Sequence, residues 1–146
     1  FPKIAVWKAY IKRRSNMELL AISGPLPVGE LTAAITETLE YVKLCGVITA
    51  ASFLGTGAFP PALIVAAYEQ FWNVLSKSID SLSHIHVTVQ AEKNELIFRM
   101  LLKTDDFSCE ADSLRQVGKG FSSKGSVLKE GPDIHVSFTF VKGGGV

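Results

Sequence analysis

The chain has 146 residues, 47% apolar and 20% charged, which fits one globular domain and excludes a disordered or low-complexity chain. Lys and Arg number 15 against 14 Asp and Glu, a net charge of +1, which argues against dedicated DNA or RNA binding because that function carries a strong basic excess. Two cysteines, Cys45 and Cys109, are too few for a disulfide framework and read as reduced thiols of an intracellular protein.

Residues 1 to about 20 read as a helix. Ile4, Trp7 and Ile11 form an apolar seam at coiled-coil-like spacing. Lys3, Lys8, Lys12, Arg13 and Arg14 precede the first acidic residue, Glu18. This basic face is either solvated or continues a dimer-forming or membrane-proximal segment. The opening at Phe1 reads as an excerpt of a longer protein. Gly24, Pro25 and Pro27 break the first helix. A second helix is expected from Val28 to about Leu44, burying Leu31, Ile35, Leu39 and Val42 and stopping at Gly46.

Residues 47–54 read as a strand. Pro60-Pro61 then starts a third, strongly apolar helix from about Pro61 to Leu82. Residues 84–90 and 95–102 alternate apolar and polar side chains on either side of Glu92-Lys93-Asn94, the pattern of a hairpin. The Gly/Ser-rich stretch 104–125 reads as loop, with a short helix near Ala111–Val117. Ser126–Lys129 and Ile134–Val141 close the chain as a second strand pair. The whole predicts an α+β two-layer sandwich, a mixed sheet of about five strands covered on one face by about three helices. Residues 1–22 would be a linking helix from an upstream dimerisation region and 23–146 the domain proper.

Few residues offer chemistry. His84 and His86 share one face of a strand, and His135 could join them as a zinc ligand, but alternating polar residues on a half-exposed strand explain all three. Gly55-Thr56-Gly57 and Gly118-Lys119-Gly120 lack the rest of any phosphate-loop pattern. Glu69, Asn73 and Lys77 line one stripe of the third helix at i, i+4, i+8. A carboxylate one turn from a carboxamide suits phosphoryl transfer. The acid can orient or deprotonate the attacking group, the amide oxygen can ligate Mg²⁺, and the lysine can add positive charge. The polar side of an amphipathic helix explains the same residues.

The runs Gly55-Thr56-Gly57-Ala58-Phe59-Pro60-Pro61-Ala62-Leu63, Ala67-Tyr68-Glu69-Gln70-Phe71-Trp72-Asn73 and Ser83-His84-Ile85-His86-Val87-Thr88-Val89 follow in that order. The helix ending Leu39-Glu40-Tyr41-Val42-Lys43-Leu44-Cys45-Gly46 precedes them. This arrangement resembles the GHKL-type ATP-binding domain of bacterial sensor histidine kinases over roughly residues 28–103. The resemblance implies ATP and Mg²⁺ as cofactors, with Glu69 assisting phosphoryl transfer, Asn73 coordinating Mg²⁺ and Lys77 near the phosphates. The family's adenine-reading aspartate lies in a D-x-G-x-G box. The matching stretch Lys103-Thr104-Asp105-Asp106-Phe107-Ser108-Cys109 offers Asp105 or Asp106 but neither glycine, and side chains there would crowd the nucleotide. The second glycine box and a full-length lid are missing too.

The resemblance thus implies a degenerate kinase domain with weak or lost nucleotide binding. Its partners would be a response regulator and a second copy joined through upstream helices. Its place would be the cytoplasm, with a membrane tether upstream of the excerpt. An active kinase domain and an unrelated α+β binding domain stand beside that reading.

Overall fold

The computed structural model describes residues 2–20, 24–105, 116–118 and 121–143. Helix α1 spans Pro2–Leu20, followed by strand β1, Leu26–Pro27, and helix α2, Val28–Lys43. Strands β2, Ile48–Leu54, and β3, Ala58–Phe59, lead into helix α3, Pro61–Ser78. Further strands among the described residues are β4, Leu82–Ala91; β5, Glu95–Thr104; β6, Gln116–Gly118; β7, Phe121–Glu130; and β8, Asp133–Lys142.

Among the described residues, the main sheet has six strands in the order β2-β4-β5-β8-β7-β6. Strand β2 runs parallel to β4, and every other pairing is antiparallel. Alternation sets the layers. Ile85, Val87 and Val89 of β4, Phe98 and Met100 of β5, and Val136 and Phe138 of β8 are buried beneath the helices. The residues between them face away from the helices. The α+β sandwich expected from the pattern is the architecture found.

Helix α3 buries most of its circumference. Leu63, Ile64, Ala67, Tyr68, Phe71, Val74 and Leu75 are all fully buried. The helix ends at Ser78, earlier than the expected Leu82, where the Ser78 hydroxyl bonds back to the Val74 and Leu75 carbonyls. Leu82 instead opens β4.

A two-stranded ribbon of β1 and β3 pairs Leu26 with Phe59 and Pro27 with Ala58. It brings the starts of α2 and α3 side by side. Pro27 provides no side-chain cap for α2, and the Val28 N–H donates instead to the Gly57 carbonyl at 2.8 Å. Phe59 is fully buried, with the Lys142 ammonium 4.4 Å from its ring centroid.

Two further elements differ from the sequence reading. The Gly/Ser-rich start of β7, from Phe121, is strand because it pairs with β8 residue by residue up to Lys142. The short helix expected near 111–117 falls partly outside the described residues, and Gln116–Gly118 at its end is strand β6. In α1 the buried face is Val6, Ala9 and Met17, while the expected seam is turned outward, with Ile4 53%, Trp7 56% and Ile11 45% exposed.

Gly55 ends β2 with φ +81°, and a Cβ there would stand 2.2 Å from the Ala91 carbonyl oxygen. Gly55→Ala therefore forces β2 away from the end of β4. It is expected to cost about 1–3 kcal/mol, read as a Tm drop of ~2–4 °C per kcal/mol in thermal denaturation. An unchanged Tm would contradict the close approach.

Candidate functional site

Glu69, Asn73 and Lys77 occupy successive turns on the outer side of α3, with Glu69 and Asn73 half-buried and Lys77 exposed. Glu69 does not stand alone. Its carboxylate forms an ion pair with the Arg14 guanidinium of α1, and Arg14 also lies 3.7 Å from Glu18 one turn further along α1. Arg14 Nε is buried without a hydrogen-bond partner. Burial works against the Arg14 charge, but Glu69, with Tyr10 and Glu18 behind it, more than restores it and its pKa rises.

An aromatic seam flanks this ion pair. Tyr10 of α1 stacks on Trp72 of α3 at 4.5 Å between centroids and on Tyr68 at 5.3 Å. Tyr68 is fully buried, and its hydroxyl lies 2.8 Å from Thr38 Oγ1 of α2. Thr38 donates its own proton to the Ala34 carbonyl at 2.8 Å, so the Tyr68 phenol is the donor between them. Burial of the Tyr10 phenol raises its pKa, with Arg14 acting against the shift and Glu69 and Glu18 adding to it.

Asn73 lies one turn beyond Glu69. With Gln70 and Lys77 it makes an i, i+3, i+7 stripe. Gln70 is 3% exposed, and its Oε1 has no hydrogen-bond partner. The Asn73 backbone carbonyl accepts the Ser76 hydroxyl at 3.2 Å.

Asp105 follows β5 and is exposed. The neighbouring Thr104 hydroxyl meets Ser81 Oγ at 2.5 Å, three residues past the end of α3. Asp105 thus stands at the Lys77 end of that helix. Asp106 lies outside the described residues. His84, His86 and His135 all face the side of the sheet away from the helices. Among the described residues no group of three or more His, Cys, Asp or Glu is arranged to hold a metal ion.

The sequence reading missed Arg14, Tyr10 and Trp72 as neighbours of Glu69. Arg14 was visible only as one member of a basic face, and the contact spans 55 positions of chain.

Many known structures share this shape. The catalytic domain of the histidine kinase ThkA, free of nucleotide, superposes with a TM-score of 0.55 at 8% identity, covering 81% of this chain and 95% of that one. The fold is that of histidine kinase catalytic domains. A bacterial phosphotransferase gives a TM-score of 0.56 at 10% identity over 78% of this chain and 64% of the other. ThkA solved in complex with the response regulator protein TrrA gives 0.55 at 9% identity, over 96% of this chain and 48% of that one. No family model and no curated protein sequence matches the chain. Among the described residues no helix is long and apolar enough to cross a membrane.

Burial pushes the Tyr68 phenol up to about 12, against a weaker opposing effect of the Thr38 contact. The folded protein then keeps a proton that the unfolded chain releases near its ordinary value of 10.0. The linked stability is fully present below about pH 10 and is lost as pH rises towards 12. Denaturant unfolding of Tyr68→Phe against the parent should show a shallower fall in stability across that alkaline window. It should also show a loss of about 1 kcal/mol at neutral pH from the missing hydrogen bond. Parallel pH profiles would remove Tyr68 as the group responsible.

Proposed function

We propose that this chain is a degenerate histidine-kinase-type ATP-binding domain that acts in two-component signalling by contact, with nucleotide binding weak or lost. The observation that carries this reading is the Arg14–Glu69 ion pair. In the histidine kinase reading, Glu69 occupies the position that assists phosphoryl transfer from ATP to a histidine. Here that carboxylate is neutralised by a guanidinium from α1, beside a stacked aromatic pair. A carboxylate held in such a pair has its oxygens engaged by the guanidinium and is not available to receive an attacking group.

The stretch after β5 supports the same conclusion. Asp105 could meet an adenine amino group, but the following residues, Asp106-Phe107-Ser108-Cys109, supply side chains where the family has glycine. Asn73 retains the chemistry to ligate Mg²⁺ through its amide oxygen, and Lys77 could add charge near a phosphate. These residues are the remnant of an ATP and Mg²⁺ site.

The contact partners follow from the surface of α1. Its outward seam of Ile4, Trp7 and Ile11 suits a second copy of the chain, helix against helix. A response regulator is the second partner, as in the ThkA complex. The domain works in the cytoplasm, either in a soluble protein or on the inner side of a membrane-tethered one.

Calorimetric titration with Mg-ATP tests the central claim. The parent chain is expected to bind at a Kd on the order of 1 mM or weaker, equivalent to about −4 kcal/mol, with little change in Asn73→Ala. Micromolar binding lost in Asn73→Ala would establish an active nucleotide site and overturn the reading. Dimerisation is tested separately by sedimentation velocity. Trp7→Ser with Ile11→Ser should convert a concentration-dependent dimer into a monomer, and a parent chain that stays monomeric at high concentration would dismiss the helix-to-helix contact.

A further inference from the structure

The side of the sheet turned away from the helices has an ordered distribution of charge. Register places Thr88 of β4, Arg99 of β5, Ser137 of β8 and Ser126 of β7 in one row across the strands. The adjacent row is His86, Leu101, His135 and Leu128. Arg99 thus has a hydroxyl directly opposite on each side, and His86 and His135 are its diagonal neighbours. The next row on the other side is Gln90, Ile97, Thr139 and Lys124. These three rows contain no carboxylate. Arg99 has neither an ion-pair nor a hydrogen-bond partner among the described residues.

Two depressions open on this face. One, of about 440 Å³, includes Thr88, Arg99, Ser126, His135 and Ser137 in its lining. The other, of about 320 Å³, includes Ile48, Ala50, Lys103 and, at its outer end, Asp133. They share His86 and Leu101, and Leu101 is 40% exposed between them. His86 Nε2 is steadied by Ser52 Oγ at 3.1 Å.

We propose that this face binds a small phosphate-bearing molecule, with the phosphate against Arg99 and an apolar portion lying over Leu101 towards Ile48. A guanidinium fork offers paired N–H donors to a tetrahedral oxyanion. The Thr88 and Ser137 hydroxyls can donate from either side, and the two imidazoles can donate from the Leu101 row. The size of the depressions suits a small molecule. The charges beyond the three rows argue against an extended polyanion or an anionic membrane. Asp133 and Glu130 lie at one end of the face, and Glu95 at the other. The site lies across the sheet from Glu69 and Asn73, so it is independent of the nucleotide question.

The test is a titration of the ¹⁵N-labelled chain with inorganic phosphate and with phenyl phosphate, following amide shifts. Saturable shifts confined to β4, β5 and β8 are expected, with phenyl phosphate binding the more tightly. Arg99→Gln should weaken both ligands about tenfold or more. Leu101→Ser should weaken phenyl phosphate and leave inorganic phosphate unchanged. His135→Gln should weaken both and supplies the comparison if Arg99→Gln disturbs the amide spectrum as a whole. Absence of saturable shifts on these strands, or shifts that survive Arg99→Gln and His135→Gln, would overturn the site. Cosedimentation with phosphatidylglycerol vesicles that depends on Arg99 would overturn the small-molecule assignment in favour of a membrane surface.

Discussion

Tyr68 is the point at which the three helices are joined to one another and to the sheet. Its ring contacts Tyr10 of α1 and Phe71 of α3, while its hydroxyl reaches Thr38 of α2. From Phe71 the aromatic contacts continue to Phe98, Phe138, Phe140 and Phe121, each step between 6.0 and 6.3 Å. This series crosses the layer interface and then follows the sheet towards its β7 side. Each ring buries a large apolar area, and the tilted and offset geometries add a modest directional preference. The Tyr68 hydroxyl at this junction is paired with Thr38, so the arrangement does not leave an orphaned phenol in the core.

The charged contacts of α1 act on orientation more than on stability. Arg13 pairs with Glu37 of α2, while the next residue, Arg14, pairs with Glu69 of α3. Exposed or half-exposed ion pairs contribute little free energy. Two that diverge from adjacent residues nevertheless fix the rotation of a helix about its axis. That rotation turns Val6 and Met17 inward and leaves Ile4, Trp7 and Ile11 outside. The same setting occupies Glu69, so the docking of α1 and the engagement of the Glu69 carboxylate are one structural fact.

Local pattern determined what sequence could disclose. Pro60-Pro61 marked the start of α3 because proline tolerates the first helical turn. The Leu31, Ile35, Leu39 and Val42 stripe marked the inner side of α2, and strict alternation marked the β4–β5 hairpin. Residues that depend on distant partners were less legible. Ser122-Ser123-Lys124-Gly125-Ser126 has the composition of a loop, and pairing with β8 and β6 makes it a strand. Trp7 and Val6 are adjacent in sequence and equally apolar, so composition could not say which one faces the core. For the candidate site, the one-turn spacing of Glu69 and Asn73 was visible, whereas the cation that meets Glu69 comes from another helix.

The parallel pairing of β2 with β4 has a kinetic side. Hairpins β4–β5 and β7–β8 close through turns of a few residues, but β2 can join β4 only after the chain between them, with all of α3, has found its place. Its closure entropy is spent before any ladder bond returns it. Among the described residues, strand β2 also has one unpaired edge, and six of its seven residues are exposed, so little packing retains it. The topology therefore makes this strand a late arrival in assembly and an early departure under stress, while the hairpins beside it persist.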